Sequence, residues 1–282
     1  MGPQRLLFGR MYEDVAIESS VFAGRPRIFC IASAGCTAMH LAKNHQVTAV
    51  DINQVQLQYA QARAAGAAMQ VGTAERIMRL GRRLMLLAGW RKSILEKFLD
   101  LDNPAEQTRF WWKHLNTRRF RYALDAMLGK HALHLAYAAP FLQSLPPQFG
   151  FVMRARLERC WATHSNRSNL YARSLLGAAA LESSSRTEAC QPIRFVCTDA
   201  VRFLERCAPG SFDGFTLSNI CDGASNTFRA RLFAALKHAG TRNSIAIIRS
   251  FAEPDIQIEH NLAKMDRSMI WGMVDVLHVG TL

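Results

Sequence analysis

The chain has no C-x-x-C pair, no long apolar run and no glycine-rich G-x-G-x-x-G loop, and it has few acidic residues for its basic ones. Each shortage excludes something. Seven cysteines, Cys30, Cys36, Cys160, Cys190, Cys197, Cys207 and Cys221, are an odd number without paired spacing. That pattern excludes a zinc ribbon and argues for free thiols in a reducing, cytosolic setting. Cys30 and Cys197 lie inside apolar runs, where a thiol acts as a small hydrophobe. The longest apolar stretch, Leu84 to Trp90, is far too short to cross a bilayer. Arg5 and Arg10 precede Glu13 and Asp14 with no apolar core between them, so the start does not read as a signal peptide. No internal repeat is visible.

What is present is basic. Against 22 acidic residues stand 35 Lys and Arg, a net charge of +13 in 282 residues, with 49 % hydrophobic residues to fill a core. An anionic partner fits such a chain, whether nucleic acid, an anionic membrane surface or an acidic substrate.

Residues 27–53 carry the strongest motif. The apolar run Ile28-Phe29-Cys30-Ile31 leads into the small residues Ala32-Ser33-Ala34-Gly35-Cys36-Thr37. A helical segment follows, then Val47-Thr48-Ala49-Val50 ending on Asp51 and Ile52. This is a first βαβ unit: small residues admit a ligand to the backbone, and an acid at the second strand's tip takes ribose hydroxyls. Only one glycine stands in the loop, whereas a dinucleotide pyrophosphate needs the closer approach of several. S-adenosylmethionine (SAM) has no phosphate and tolerates Ser and Ala there. The expected cofactor is therefore SAM rather than NAD, held by Ala32, Ser33, Ala34, Gly35, Cys36, Asp51 and Ile52.

Strands are expected at 28–32, 47–51, 193–197, 212–217 and 244–249, with a last strand or pair within 268–279 and a helix over 228–238. Alternating strands and helices predict a mostly parallel sheet. The fold class is α/β, a Rossmann-like SAM-dependent transferase sheet with a helical insertion after the second strand. Residues 1–26 read as a helical segment of a helix or two, 27–71 and 176–282 as the SAM-binding domain, and 72–175 as the insertion; 54–70 reads as a helix and 181–188 as an exposed loop. The insertion holds 18 basic residues against 7 acidic ones, a net +11 of the chain's +13. Trp90, Phe98, Phe110, Trp111, Trp112, Phe120 and Tyr122 are interleaved with the charge. Basic plus aromatic suits a membrane interface or a nucleic-acid surface; an aromatic core with arginine on the wet face accounts for the same pattern.

Two further segments carry chemistry. Cys197-Thr198-Asp199-Ala200 ends the third strand, where Asp199 and Ala200 can meet the adenine; Asp199 can equally cap the following helix. Leu217-Ser218-Asn219-Ile220-Cys221-Asp222-Gly223 follows the fourth strand, on the edge of an open sheet that faces ligand. Asn219 and Asp222 can touch the methionine part of SAM or the acceptor, or simply form a turn.

Phe8-Gly9-Arg10-Met11-Tyr12-Glu13-Asp14, Ile31 to Ala38, Val50-Asp51-Ile52-Asn53, Leu217 to Ile220 and Asp266-Arg267-Ser268-Met269-Ile270-Trp271 resemble the betaine-lipid synthase A family. The resemblance is scattered along most of the chain and best in the first 60 residues. It implies a SAM:diacylglycerol 3-amino-3-carboxypropyltransferase, with Ala32 to Cys36 and Asp51 on the cofactor and Asn219 and Asp222 at the reaction centre. The chain is shorter than those lipid enzymes, which leaves the acceptor open between a lipid and a small molecule. Transfer requires a nucleophile in line with the bond from sulfur to the γ-carbon, and a base if the acceptor is a hydroxyl. Asp222, Glu13, Asp14, His131, His134 and His164 are candidate bases, and Tyr12 and Tyr171 could steady the sulfonium through cation–π contact or pack between insertion and sheet. Attack by SAM's own amine would give a four-membered cyclic amino acid without an acceptor. The competing readings are a SAM methyltransferase on a small molecule or RNA and a degenerate SAM fold that only binds. The expected location is cytosolic and peripheral to the membrane's inner face, through contact of the insertion with anionic lipid in preference to nucleic acid.

Overall fold

The computed structural model describes residues 4–134, 139–177, 191–254 and 261–281. The loop expected at 181–188 and Cys190 lie outside the described residues. The first helix, α1 (Val15–Val21), leads into β1 (Arg27–Ile31), α2 (Cys36–Leu41), β2 (Gln46–Asp51) and α3 (Gln54–Ala64). The insertion follows as α4 (Thr73–Leu87), α5 (Lys92–Leu99), α6 (Pro104–Phe110) running on into a π turn (Trp111–Leu115), α7 (Arg118–Met127), α8 (Lys130–His134), α9 (Ala139–Gln143), α10 (Phe149–Thr163) and α11 (Leu170–Leu176). The sheet resumes with β3 (Arg194–Cys197), α12 (Ala200–Arg206), β4 (Phe212–Thr216), α13 (Asn226–Ala239), β5 (Gly240–Ser250) and β6 (Met273–His278).

Six strands form one sheet in the order β3-β2-β1-β4-β5-β6. All neighbours are parallel except β5 and β6, which pair antiparallel from Ser250↔Met273 to Ile245↔His278. The fold is the expected α/β, Rossmann-like sheet with its helical insertion between the second and third strands. Strand order reverses at β1 and β4, and the crevice where open α/β sheets bind ligands lies outside the carboxyl ends of such strands.

Both faces of the sheet are covered, so its central strands read as continuous apolar runs. Ile28, Cys30, Val47, Ala49, Ile247 and Trp271 pack on one face beneath α1 and α2. Phe29, Val50, Phe215, Ala246 and Ile248 pack on the other against α12 and α13. Polar caps start the helices: Asn53 accepts from Val55 and Gln56 N–H at α3, and Ser225 from Phe228 N–H at α13.

Three boundaries differ from expectation. Among the described residues before β1 only Val15–Val21 is helical, because the run ahead of it is held extended by side chains. Gln56 Oε1 accepts the N–H groups of Leu7 and Phe8 at 2.9 and 3.1 Å, and the Glu75 carboxylate accepts those of Gly9 and Arg10 at 2.8 and 3.1 Å. The helix after β2 stops at Ala64, ahead of Gly66 at φ 94°. In β5 the strand begins at Gly240 directly after α13.

The insertion has its own core. Trp90, Phe98, Trp111, Phe120 and Trp161 are buried together, with Trp90 stacked on Phe120 at 4.6 Å. Most of the interleaved aromatics are therefore interior; Trp112 and Tyr122 are exposed. Met269 completes this core from the carboxyl-terminal side. Arg156 of α10, 1 % exposed, donates to the carbonyls of Ile270 and Phe251 at 2.6 and 2.7 Å and pairs with Glu253. Insertion and sheet are thus joined by buried polar bonds as well as by packing.

Candidate active site

The crevice is built first by the loop after β1. Ala32 and Ala34 are fully buried, and Ala32 N–H continues the ladder to the Val50 carbonyl at 2.8 Å. Ser33 has φ 43° and Gly35 φ 81°, so two left-handed residues turn the chain into α2. Gly35 is required twice over, since a Cβ there would also stand 3.1 Å from Ala60 Cβ. The single glycine serves helix packing, and the other positions of the loop keep small side chains.

Asp51 sits at the tip of β2 as expected. Its carboxylate accepts Ser33 N–H at 3.1 Å and Asn53 N–H at 2.8 Å, tying the loops after β1 and β2 together. Burial raises its pKa, and the backbone N–H groups of Asn53, Ser33 and Ile52 partly offset that. Each oxygen retains a lone pair, so a diol can still be accepted. Ile52 beside it is exposed. Cys36 Sγ accepts from Met11 N–H at 3.3 Å and from Arg63 Nη1 at 3.0 Å, which fixes the amino-terminal segment to the loop. On the next strand, Asp199 caps α12 by accepting Arg202 N–H at 2.9 Å, while Ala200 packs into the core of that face.

The loop after β4 supplies the opposite wall. Ser218 has φ 53°, a second strained turn facing the first across the reversal of strand order. Asn219 Nδ2 donates to Asp222 Oδ2 at 3.2 Å. Asp222 also accepts Ser250 Oγ–H at 2.5 Å and Phe251 N–H at 3.1 Å, so its lone pairs hold the end of β5.

The segment Tyr12-Glu13-Asp14 lies between these walls. Tyr12 is buried, with its hydroxyl 3.5 Å from Ser174 Oγ and the Arg10 guanidinium 5.8 Å from its ring centroid. A cation therefore already lies near that ring. Tyr171 donates its hydroxyl to the Glu13 carbonyl at 2.6 Å, which pins the segment from the insertion; burial pushes its pKa far up. Asp14 pairs with Arg267 through 2.5 and 2.7 Å bonds and caps α1. His131 and His134 are exposed on α8, and His164 meets the Lys264 carbonyl at 3.1 Å.

Beneath Glu13 is a charge cluster that the sequence reading did not assemble. Arg249 is fully buried and takes both oxygens of Glu18, with Asp266 at 3.4 Å and Glu13 Oε2 at 3.8 Å. Three carboxylates thus surround one guanidinium. Burial raises the pKa of Glu13 and of Asp266, only partly countered by Arg249. Glu13 Oε1 accepts Ser218 Oγ–H at 2.5 Å, while its Oε2 has no hydrogen-bond donor. The available signal was an arginine closing the apolar run Ile245-Ala246-Ile247-Ile248, a charge with nowhere to go but inward.

A cavity of about 650 Å³ runs along one face of β2 and β3 beside α12, lined in part by Gln46, Thr48, Arg194, Thr198, Arg202 and Arg206. Among the described residues, no cluster of His, Cys, Asp and Glu could hold a metal ion, and no helix is long and apolar enough to cross a membrane.

The strand order and the crevice it creates define a Rossmann-like α/β fold. No family model and no curated protein matches the chain. Among solved structures it is similar to the rRNA methyltransferase aviRa from Streptomyces viridochromogenes, at 12 % identity and a TM-score of 0.34, over 92 % of this chain and 80 % of that one.

Proposed function

We propose that the protein is a SAM-dependent transferase that opens the bond between sulfur and the γ-carbon, moving the 3-amino-3-carboxypropyl group to a lipid or small-molecule nucleophile. The observation that carries this reading is the Glu13–Ser218 pair at the junction of the two crevice walls, because displacement by an O–H or N–H nucleophile needs a proton acceptor. Bound SAM supplies an electrophilic carbon and a leaving group that departs neutral. Ala32 to Cys36 and Asp51 hold its ribose side, Asp199 and Ala200 flank the adenine, and Asn219 faces the amino-acid arm. The nucleophile's lone pair forms the new bond to the γ-carbon while the C–S pair returns to sulfur. Its proton passes through Ser218 Oγ to Glu13. Methylthioadenosine leaves.

Glu13 suits this role better than Asp222, whose oxygens are occupied by Ser250, Phe251 and Asn219. A carboxylate whose pKa is raised by burial is a stronger base than one in water. If SAM's own amine is the nucleophile, the same pair takes its proton and the product is the cyclic amino acid. The resemblance through Tyr12-Glu13-Asp14 and Asn219 supports the γ-carbon over the methyl group; methyl transfer to a small molecule or RNA is the competing outcome. Chromatography of a reaction with SAM, with and without added diacylglycerol and against a no-enzyme control, decides it. Methylthioadenosine above the control is expected. S-Adenosylhomocysteine alone replaces the γ-carbon reading with methyl transfer.

A further inference from the structure

Helix α4 has an outward face that its packing leaves uncovered. Its inner side is spoken for: Met85 is buried in the insertion core, Gly81 lies against Met127, and Arg82 donates to the carbonyls of Ser174 and Leu175. Ile77, Leu80, Leu84 and Leu87 instead stand exposed, Leu80 at 59 % and Leu87 at 79 %. Their spacing of three, four and three residues draws one stripe along a helix with 3.6 residues per turn. Arg76, Arg79 and Arg83, also exposed, draw a parallel basic stripe directly beside it. The helix has one acid, Glu75, and its carboxylate is turned inward onto the N–H groups of Gly9, Arg10 and Gly72. A soluble helix buries its apolar stripe; an apolar stripe in the open, edged by arginine and free of outward acids, is the pattern of a helix lying in a bilayer interface.

The surroundings extend the patch toward the crevice. Leu7, Phe8, Met69 and Val71 are exposed where the chain enters α4. Thr73 and Ala74 N–H groups donate to the carbonyls of Leu6 and Leu7 at 3.1 and 2.8 Å, and Gln56 links Phe8 to Ser33 by donating to both carbonyls. The apolar surface is therefore bonded, through two short links, to the loop after β1.

We propose that α4, with the Leu7–Phe8 corner, is the surface by which this protein docks on an anionic lipid bilayer, leucines in the acyl boundary and Arg76, Arg79 and Arg83 on the lipid phosphates. The basic charge of the insertion alone pointed to a wider area, including Arg118, Arg119 and Arg121 of α7. The apolar stripe narrows it to α4 and turns the crevice mouth toward the membrane, where a lipid acceptor would arrive. Docking does not depend on which bond of SAM breaks.

The test is flotation of the full-length protein with vesicles of phosphatidylcholine alone or mixed with phosphatidylglycerol. Binding to the mixed vesicles is expected, weakened by salt. Leu80→Glu and Leu84→Glu should each lower vesicle affinity about tenfold, as loss of a buried leucine predicts. Arg76→Glu, Arg79→Glu and Arg83→Glu should each cost about fivefold or more, and Arg118→Glu far less. These side chains are all exposed, so circular dichroism should be unchanged. Equal binding to both vesicle types, or leucine variants that bind like wild type, overturns the proposal. So does a dimer in light scattering that Leu80→Glu dissociates without vesicle binding ever being seen, since the stripe would then face a second copy. Salt-sensitive binding to RNA in place of vesicles also overturns it.

Discussion

Changing Glu13 to Gln should leave the fold nearly as stable while removing turnover. The geometry sets the magnitude. Arg249 keeps its two-oxygen contact with Glu18 and its contact with Asp266 in this variant, so no buried guanidinium is stranded. Stranding a buried charge costs about 3–5 kcal/mol, and Glu18→Gln should cost that much because it breaks the main pairing. Glu13 differs: it is the third carboxylate around one cation, 3.8 Å from it and with Oε2 lacking a donor. The amide can turn its oxygen to Arg249 and its Nε2–H to Ser218 Oγ, so Glu13→Gln should shift stability by less than about 1 kcal/mol, near the net worth of one hydrogen bond. Loss of the proton acceptor should meanwhile lower kcat about 10²- to 10⁴-fold. The sign of the pH dependence follows from the raised pKa of Glu13. Its contribution is fully present below the ordinary glutamate pKa and is lost as pH rises through the raised folded value, because unfolding then releases a proton. Glu13→Gln lacks that decline. Urea melts across pH, beside turnover of SAM, measure both. A Glu13→Gln enzyme with wild-type turnover refutes the base; one as unstable as Glu18→Gln refutes the excess-charge argument.

Asp51→Ala should weaken SAM binding about 10- to 150-fold, from the loss of a charge-assisted bond worth roughly 1.5–3 kcal/mol; calorimetry showing an unchanged Kd in a folded variant would remove Asp51 from the site. Asp14→Asn should cost about 1–3 kcal/mol for the charge-assisted pairing with Arg267, since the amide oxygen still caps α1. Burial opposes ionisation of Asp14, but its bonds to Arg267 prevail and hold the carboxyl below the usual range. Its contribution is present above the ordinary aspartate pKa and fades as pH falls through the depressed value. Acid titrations of stability should therefore converge for Asp14→Asn and wild type, and a constant gap down to the lowest pH would contradict the pairing.

The sheet was legible because its strands are local apolar runs and its ligand loop is contiguous. Ile28 to Ile31 and Val47 to Val50 announce burial on both faces, and Asp51 marks a strand tip without any tertiary information. The cluster around Arg249 was not legible in the same way. Glu13, Glu18, Arg249 and Asp266 come from opposite ends of the chain, and only the topology that places β5 beside β4 brings them together. The amino-terminal run gave a helical impression because its residues permit a helix; Gln56 and Glu75, far along the chain, claim its N–H groups first. Aromatics of the insertion carried an ambiguous signal, since Trp90, Trp111 and Phe120 have the same spacing character whether they face lipid or each other. Packing decided for each other, and left the exposed role to the plain leucines of α4.

Arg156 bears on how this architecture could be rebuilt. Apart from a long 3.9 Å contact to Met153 Sδ on its own helix, its guanidinium is bonded, among the described residues, to carbonyls and a carboxylate on the far side of the boundary between insertion and sheet. Cutting out residues 72–175 as a cassette would bare the carbonyls of Phe251 and Ile270, and grafting the cassette elsewhere would carry an unmatched buried cation into its new host. The helical part is accordingly no interchangeable module. Anyone recombining it must move residues 251–271 with it, and a lineage that lengthens or shortens it is free to do so only in connections that leave α10 seated on the end of β5.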